Sequence, residues 1–154
     1  MRRIVLLVFG FVCIVKIAIG EKPYFQQRVD YKISVSLDDK KNFLSGFEEL
    51  IYRNNSQDTL RELFFHLWPN AYKDRSTALC KQLVSQGNMS LYFANDEQRG
   101  FIDSLNFRVD DKVVSLVYDS INIDICKIVL NKPLLPNDTI LITTPFRIKI
   151  TDAK

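Results

Sequence analysis

The sequence predicts a mostly β fold: an antiparallel β-sandwich or a curved sheet with one short helical insertion. After residue 24, about eight short apolar segments follow one another, and several of them alternate apolar with polar side chains. Turn-forming residues separate these segments, and only residues 74–98 depart from the strand pattern. Many short strands separated by turns are typical of antiparallel sandwiches. The length of 154 residues corresponds to one domain.

The first predicted strand, residues 29–38, alternates strictly between apolar and polar side chains. Its apolar face consists of Val29, Tyr31, Ile33, Val35 and Leu37. This alternation predicts a half-buried strand whose polar face lies in solvent.

A charged turn then leads to a second predicted strand, residues 43–53. The apolar residues Phe43, Phe47 and Ile51 are in phase along it. Gly46 is expected to form a β-bulge in this strand.

Residues 63–74, LFFHLWPNAYKD, contain the only histidine and the only tryptophan of the chain. Side chains on both faces of this extended segment are bulky, which predicts a central strand covered on both sides. Pro69 cannot donate a ladder hydrogen bond and is expected to end the strand. The residues assigned to the structural core are Phe65, His66, Leu67, Trp68, Asn70 and Tyr72. Trp68 is expected to anchor this core, and His66 to be a hydrogen-bonded structural residue rather than a base or a metal ligand.

Residues 77–84 form the predicted helix of the insertion, with Ser76 as its cap and Gly87 just beyond its end. Strand signals resume at residue 101, and the acidic pair Asp110 and Asp111 predicts a hairpin-like turn. The last predicted strand, residues 139–150, is apolar and is expected to leave apolar surface exposed.

The first 20 residues have the pattern of a secretory signal peptide. Arg2 and Arg3 precede an apolar stretch at residues 4–15, and Ala18 and Gly20 place small residues before a cleavage site. The apolar stretch is shorter than the roughly 20 residues that a spanning helix needs. We therefore predict an exported protein, periplasmic or extracellular, with cleavage after Gly20 and no membrane attachment afterwards.

The predicted signal peptide also accounts for the basic charge of the chain. The chain contains 21 Lys and Arg residues against 18 Asp and Glu residues. Arg2, Arg3 and Lys16 lie in the predicted signal peptide, which contains no acidic residue, so residues 21–154 carry no formal net charge. This balance offers no electrostatic reason to expect a nucleic acid partner.

Two cysteines, Cys80 and Cys126, follow the predicted cleavage site. An oxidising compartment would allow a disulfide between them, and two buried thiols are the alternative. The spacing of cysteines in a sequence does not decide between these two states.

Four segments resemble one known domain, in the same order. They are the run FHLWPNAY at residues 65–72 and the segments at residues 26–38, 100–112 and 131–150. Together they resemble the N-terminal β-domain of secreted bacterial zinc metallopeptidases of the aminopeptidase-N type, the gluzincins. The resemblance covers nearly all of the chain after residue 24, and it implies that the curved sheet is saddle-like.

The resemblance implies a role beside a catalytic domain. Residues 21–154 would form the N-terminal β-domain, and the catalytic domain of the same longer protein would be its partner. The β-domain would buttress that partner and wall the cleft that binds the peptide substrate. Zinc is implied for the catalytic domain, and no cofactor is expected in this chain.

Catalysis by a gluzincin requires two histidines one helical turn apart, with a glutamate between them as general base. This chain has a single histidine, His66, on a predicted strand. We therefore assign no catalytic or metal-binding residue, match no substrate-binding residue, and expect no peptidase activity from this chain alone.

Two other interpretations are a stand-alone exported β-sandwich that binds a protein or glycan, and a structural fragment without a ligand.

Overall fold

The computed structural model describes residues 24–151. In this range the chain forms nine strands, two α-helices and one 3-10 helix. The strands are β1 Arg28–Asp38, β2 Phe43–Arg53, β3 Leu60–His66, β4 Phe101–Asp103, β5 Arg108–Val109, β6 Lys112–Val113, β7 Ser115–Tyr118, β8 Ile125–Leu134 and β9 Thr139–Lys149. The 3-10 helix spans Trp68–Tyr72, and the α-helices are α1 Ala78–Ser85 and α2 Ser90–Phe93.

The strands form two antiparallel sheets. The larger sheet has the order β1-β2-β9-β5-β6, and β4 also pairs with β9. The smaller sheet has the order β3-β8-β7. The prediction of a mostly antiparallel β fold with a short helical insertion is confirmed.

The hydrophobic core lies between the two sheets. Leu50 and Ile142 contribute from the larger sheet, and Leu63 and Ile128 from the smaller one. Each large side chain buried in this way contributes roughly 1.5–3 kcal/mol by leaving water. The core therefore holds the two sheets against each other.

Helix α1 has the predicted cap and end signals, except that the N-cap residue differs from the prediction. Thr77, not Ser76, is the N-cap residue, because its Oγ1 accepts a hydrogen bond from the Cys80 backbone N–H at 3.2 Å. Ser76 bonds the Asp74 side chain instead. Gly87 follows the helix with a φ of 81°, a conformation that favours glycine at a helix end.

Strand β2 corrects the prediction made for Gly46. Its pairing with β1 runs without interruption from Phe43 to Arg53, so Gly46 forms no bulge. Because of this unbroken register, Phe43, Phe47 and Ile51 point away from the core. Gly46 instead leaves room for the ring of Phe146, since an added Cβ would lie 2.5 Å from that ring.

Strand β3 is an edge strand, and the prediction that it lies centrally with both faces covered is wrong. Leu63 and Leu67 are buried and Phe65 packs against the core, whereas Phe64 is exposed. No second layer among residues 24–151 covers the outer face of the smaller sheet. Its bulky side chains therefore remain in solvent.

Strand β9 meets the expectation of exposed apolar surface only in part, because Leu141 and Ile150 are the exposed large apolar side chains of residues 139–150, at 37% and 39%. It lies inside the larger sheet, between β2 on one side and β4 and β5 on the other. Ile142 and Phe146 of β9 are buried. The main exposed apolar surface therefore lies on another strand, β1.

Within the described range, Cys80 and Cys126 are both free thiols and both buried. Cys126 belongs to the core between the sheets, whereas Cys80 lies in α1 and outside that cluster. No disulfide joins them, and burial raises the pKa of the Cys126 thiol to about 11.

The predicted signal peptide at residues 1–20 lies outside the described residues. None of the helices found in residues 24–151 is long and apolar enough to cross a membrane.

Candidate docking groove

Except at Val29, no other part of residues 24–151 covers the apolar face of β1. In the pairing with β2, Tyr31 lies opposite Leu50, and Leu37 lies opposite Leu44. Directly opposed residues of antiparallel strands share a face, so this row continues the face that carries the core. The prediction that this face is half-buried holds only for Val29. The exposed row consists of Tyr31, Ile33, Val35 and Leu37, and these side chains are between 52% and 61% exposed.

Beside the exposed row, a groove opens between the two sheets. It encloses about 480 Å³. Val29 and Tyr31 of β1, Glu48 of β2 and Phe146 of β9 contribute to one wall, and β3 contributes to the other. We refer to this space as the docking groove. It lies between two edge strands, β1 and β3, each with one side free of a neighbour in its sheet.

Two stacked rings stand at the β3 side of the docking groove. The His66 and Trp68 ring centroids lie 4.1 Å apart, with 32° between the ring planes. Trp68 is 69% exposed, and the His66 Nε2 atom lies 3.6 Å from Oδ2 of Asp124. The expectation that Trp68 anchors the core is therefore wrong, because the chain leaves the strand before Trp68 and turns its ring outward.

Asn70 holds this side of the docking groove in place. Its side chain is buried, its Nδ2 donates to the Ile123 carbonyl at 3.1 Å, and its Oδ1 accepts from the Ile102 backbone N–H at 3.0 Å. The Leu67 backbone N–H also donates to the Asp124 carbonyl at 2.6 Å. These bonds tie the 3-10 helix to β4 and to the loop before β8. These hydrogen bonds fix the positions of the His66 and Trp68 rings.

The six residues assigned to the core from sequence divide between the interior and the surface. Leu67 and Asn70 are buried, and Phe65 is half-buried with its ring 4.7 Å from that of Phe107. His66, Trp68 and Tyr72 are exposed.

The His66 surroundings do not fit a gluzincin zinc site. Asp124 is the one acidic group within ion-pair distance of its ring. Among residues 24–151, no group of three or more His, Cys, Asp or Glu side chains is placed to hold a metal ion.

Glu48, which lines the docking groove, was not recognised from the sequence as a candidate site residue. In the sequence, the apolar residues Phe43, Phe47 and Ile51 drew attention to one face of β2 and left the opposite face unassigned. An unbroken alternation instead assigns Leu44, Glu48 and Leu50 to one face. Read in that way, the sequence would have revealed a carboxylate on the core face.

No protein-family model matches the chain, and no curated protein matches it significantly. The similarity to aminopeptidase-N-type domains therefore depends on the four sequence segments and stays a prediction.

Proposed function

We propose that this chain is the non-catalytic N-terminal β-domain of an exported zinc aminopeptidase-like protein. Its role is to support the catalytic domain and to wall the cleft in which that domain binds a peptide. The observation that supports this proposal is the exposed apolar row on β1, on the same sheet face as the core. A contiguous apolar surface of this kind indicates an interaction site, because its exposure to water is unfavourable.

The location of the row also favours a packing role. The opposite face of β1 carries charged and polar side chains, including an Arg28–Asp30 pair at 3.0 Å. Lys32 pairs with Glu49 of β2 at 3.1 Å on that same face. The polar face of β1 is therefore compatible with solvent, and the apolar face is suited to packing against a second protein layer.

The proposal is tested by gene sequence and by activity. The reading frame beyond Lys154 should continue and encode a His-Glu-x-x-His motif. The purified exported chain, residues 21–154, should not retain stoichiometric zinc after dialysis and should release no amino acid from aminoacyl-anilide substrates. Hydrolysis by this chain that a chelator abolishes would contradict the proposal, as would a stop codon directly after Lys154.

A second candidate function is a stand-alone exported module that binds a protein or glycan. The observation that favours it is the pair of exposed aromatic side chains, Phe64 and Trp68, beside the docking groove. Exposed aromatic rings can stack on the apolar faces of sugar rings. Retention of the chain on an immobilised polysaccharide, lost in Trp68→Ala, would favour this function over the first.

A further inference from the structure

A single acidic side chain lies within the apolar face described above. Glu48 of β2 is opposite Ile33 of β1 on one side and Thr144 of β9 on the other. It lines the docking groove and is the only charged residue that β1, β2 and β9 direct to this face. Its carboxylate therefore has apolar surroundings on the side from which a partner would approach.

The Glu48 carboxylate has no partner among residues 24–151. No ion pair involves it, and burial alone raises its pKa. The neighbouring Thr144 hydroxyl accepts from the Asn106 backbone N–H at 3.0 Å and donates to the Pro145 carbonyl at 2.9 Å. The adjacent acid, Glu49, differs because Lys32 Nζ lies 3.1 Å from it on the opposite face. Glu48 is half-buried, and a carboxylate that is partly withdrawn from water without a cation is destabilised, so a cationic partner would relieve part of this cost.

We propose that the docking groove and the exposed row bind a polypeptide surface whose apolar side chains surround one basic residue. That residue forms an ion pair with Glu48, while its apolar neighbours cover Ile33 and Val35. Arginine fits this position best, because its guanidinium group can donate two hydrogen bonds to one carboxylate. This inference deepens the packing role proposed above and depends on it.

The size of the surface indicates a polypeptide rather than a small amine. From Tyr31 to Leu37 the exposed row extends over about 20 Å, given about 3.3 Å per residue in a strand. A small cation would pair with Glu48 but leave this row in water. A secondary-structure element of a partner would satisfy the carboxylate and cover the row at the same time.

The test uses two synthetic amphipathic peptides that differ only at the centre of the apolar face, where one carries arginine and the other glutamine. Binding to the full chain is followed by the fluorescence of Trp68, the only tryptophan, which lines the groove. The arginine peptide should bind about tenfold more tightly, which corresponds to about 1.4 kcal/mol and lies at the low end of what a hydrogen bond to a charged group contributes. Glu48→Gln should remove this preference.

Glu49→Gln is the matched control, because it removes a carboxylate at the next position but on the other face. It should keep the tenfold preference. Glu48→Arg should reverse the preference toward a third peptide that carries glutamate at the centre. Circular dichroism of each variant establishes that it is folded.

The outcomes separate this inference from the packing role. Equal binding of the arginine and glutamine peptides would overturn the role of Glu48 and leave an apolar docking surface. Failure of both peptides to bind the parent chain would overturn the docking surface as well. A preference that survives Glu48→Gln would also refute the inference, because the basic residue would then pair elsewhere.

Discussion

Replacing Asn54 with alanine should lower the free energy of unfolding by about 3 kcal/mol, since two buried backbone groups would lose their partners. Asn54 is completely buried after β2. Its Nδ2 donates to the Leu134 carbonyl at 3.2 Å and to the Asp58 carbonyl at 2.8 Å. Its Oδ1 accepts from the Ser56 backbone N–H at 3.1 Å. Through these bonds, Asn54 connects the end of β2 in the larger sheet with β8 in the smaller one.

The expected loss in the free energy of unfolding follows from the backbone groups that Asn54→Ala leaves without a hydrogen-bond partner. The Leu134 carbonyl and the Ser56 N–H would be left buried without these bonds, at about 1–3 kcal/mol each. Loss of the bond to the Asp58 carbonyl costs less free energy, because the Ser56 hydroxyl also donates to this carbonyl at 3.3 Å. A loss of about 3 kcal/mol corresponds to a fall in Tm on the order of 10 °C for a domain of this size.

Urea unfolding followed by far-UV circular dichroism measures this loss, with an unchanged m-value as the sign of a pure stability effect. Asn55→Ala is the matched control, because Asn55 is exposed, and its cost should stay below about 1 kcal/mol. Asn54→Asp should be at least as harmful as Asn54→Ala at neutral pH, because a carboxylate would face two carbonyl oxygens. Equal midpoints for Asn54→Ala and Asn55→Ala would refute the reasoning.

Four further predictions follow from the fold. Trp68→Ala should change the free energy of unfolding by less than about 1 kcal/mol, because the ring is largely exposed; a loss of several kcal/mol in urea unfolding would contradict this. Gly46→Ala should cost about 1–3 kcal/mol in the same assay, because its Cβ would lie 2.7 Å from a backbone oxygen as well as against the Phe146 ring, and an unaffected midpoint would show that the strands can separate locally. Burial raises the pKa of Glu48, so the contribution of this carboxyl to stability should fall as pH rises from its unfolded pKa through its folded pKa. Glu48→Gln should therefore gain stability relative to the parent at neutral pH and lose this gain at low pH, and a constant difference across a pH series of melting curves would refute the assignment. The Cys126 thiol, with its pKa raised to about 11, should resist iodoacetamide at neutral pH until urea unfolds the chain; mass spectrometry of the peptides would detect early labelling that contradicts this.

The sequence by itself determined the fold class and the approximate positions of most strands. Alternation along residues 29–38 and the turn at Asp110 and Asp111 are local signals, and the structure places a strand and a hairpin turn there. Period-two alternation and turn chemistry act over a few residues, so they can be recognised without knowledge of the partners. The extent of strands is harder to predict, because β8 continues through Pro133 to Leu134 although a proline cannot donate a ladder hydrogen bond.

Only the tertiary structure decided which faces are covered. Alternation on β1 shows that its two faces differ, but whether another layer lies on the apolar face depends on elements far away in the chain. The wrong prediction for Trp68 has the same cause, because a bulky side chain beside a strand can point inward or outward. The 3-10 helix that follows β3 turns this side chain outward. Glu48 is the clearest case, because its place on the core face follows from the unbroken register between β1 and β2. A shift of one residue in that register would have placed it in solvent, since side-chain direction alternates with every residue of a strand.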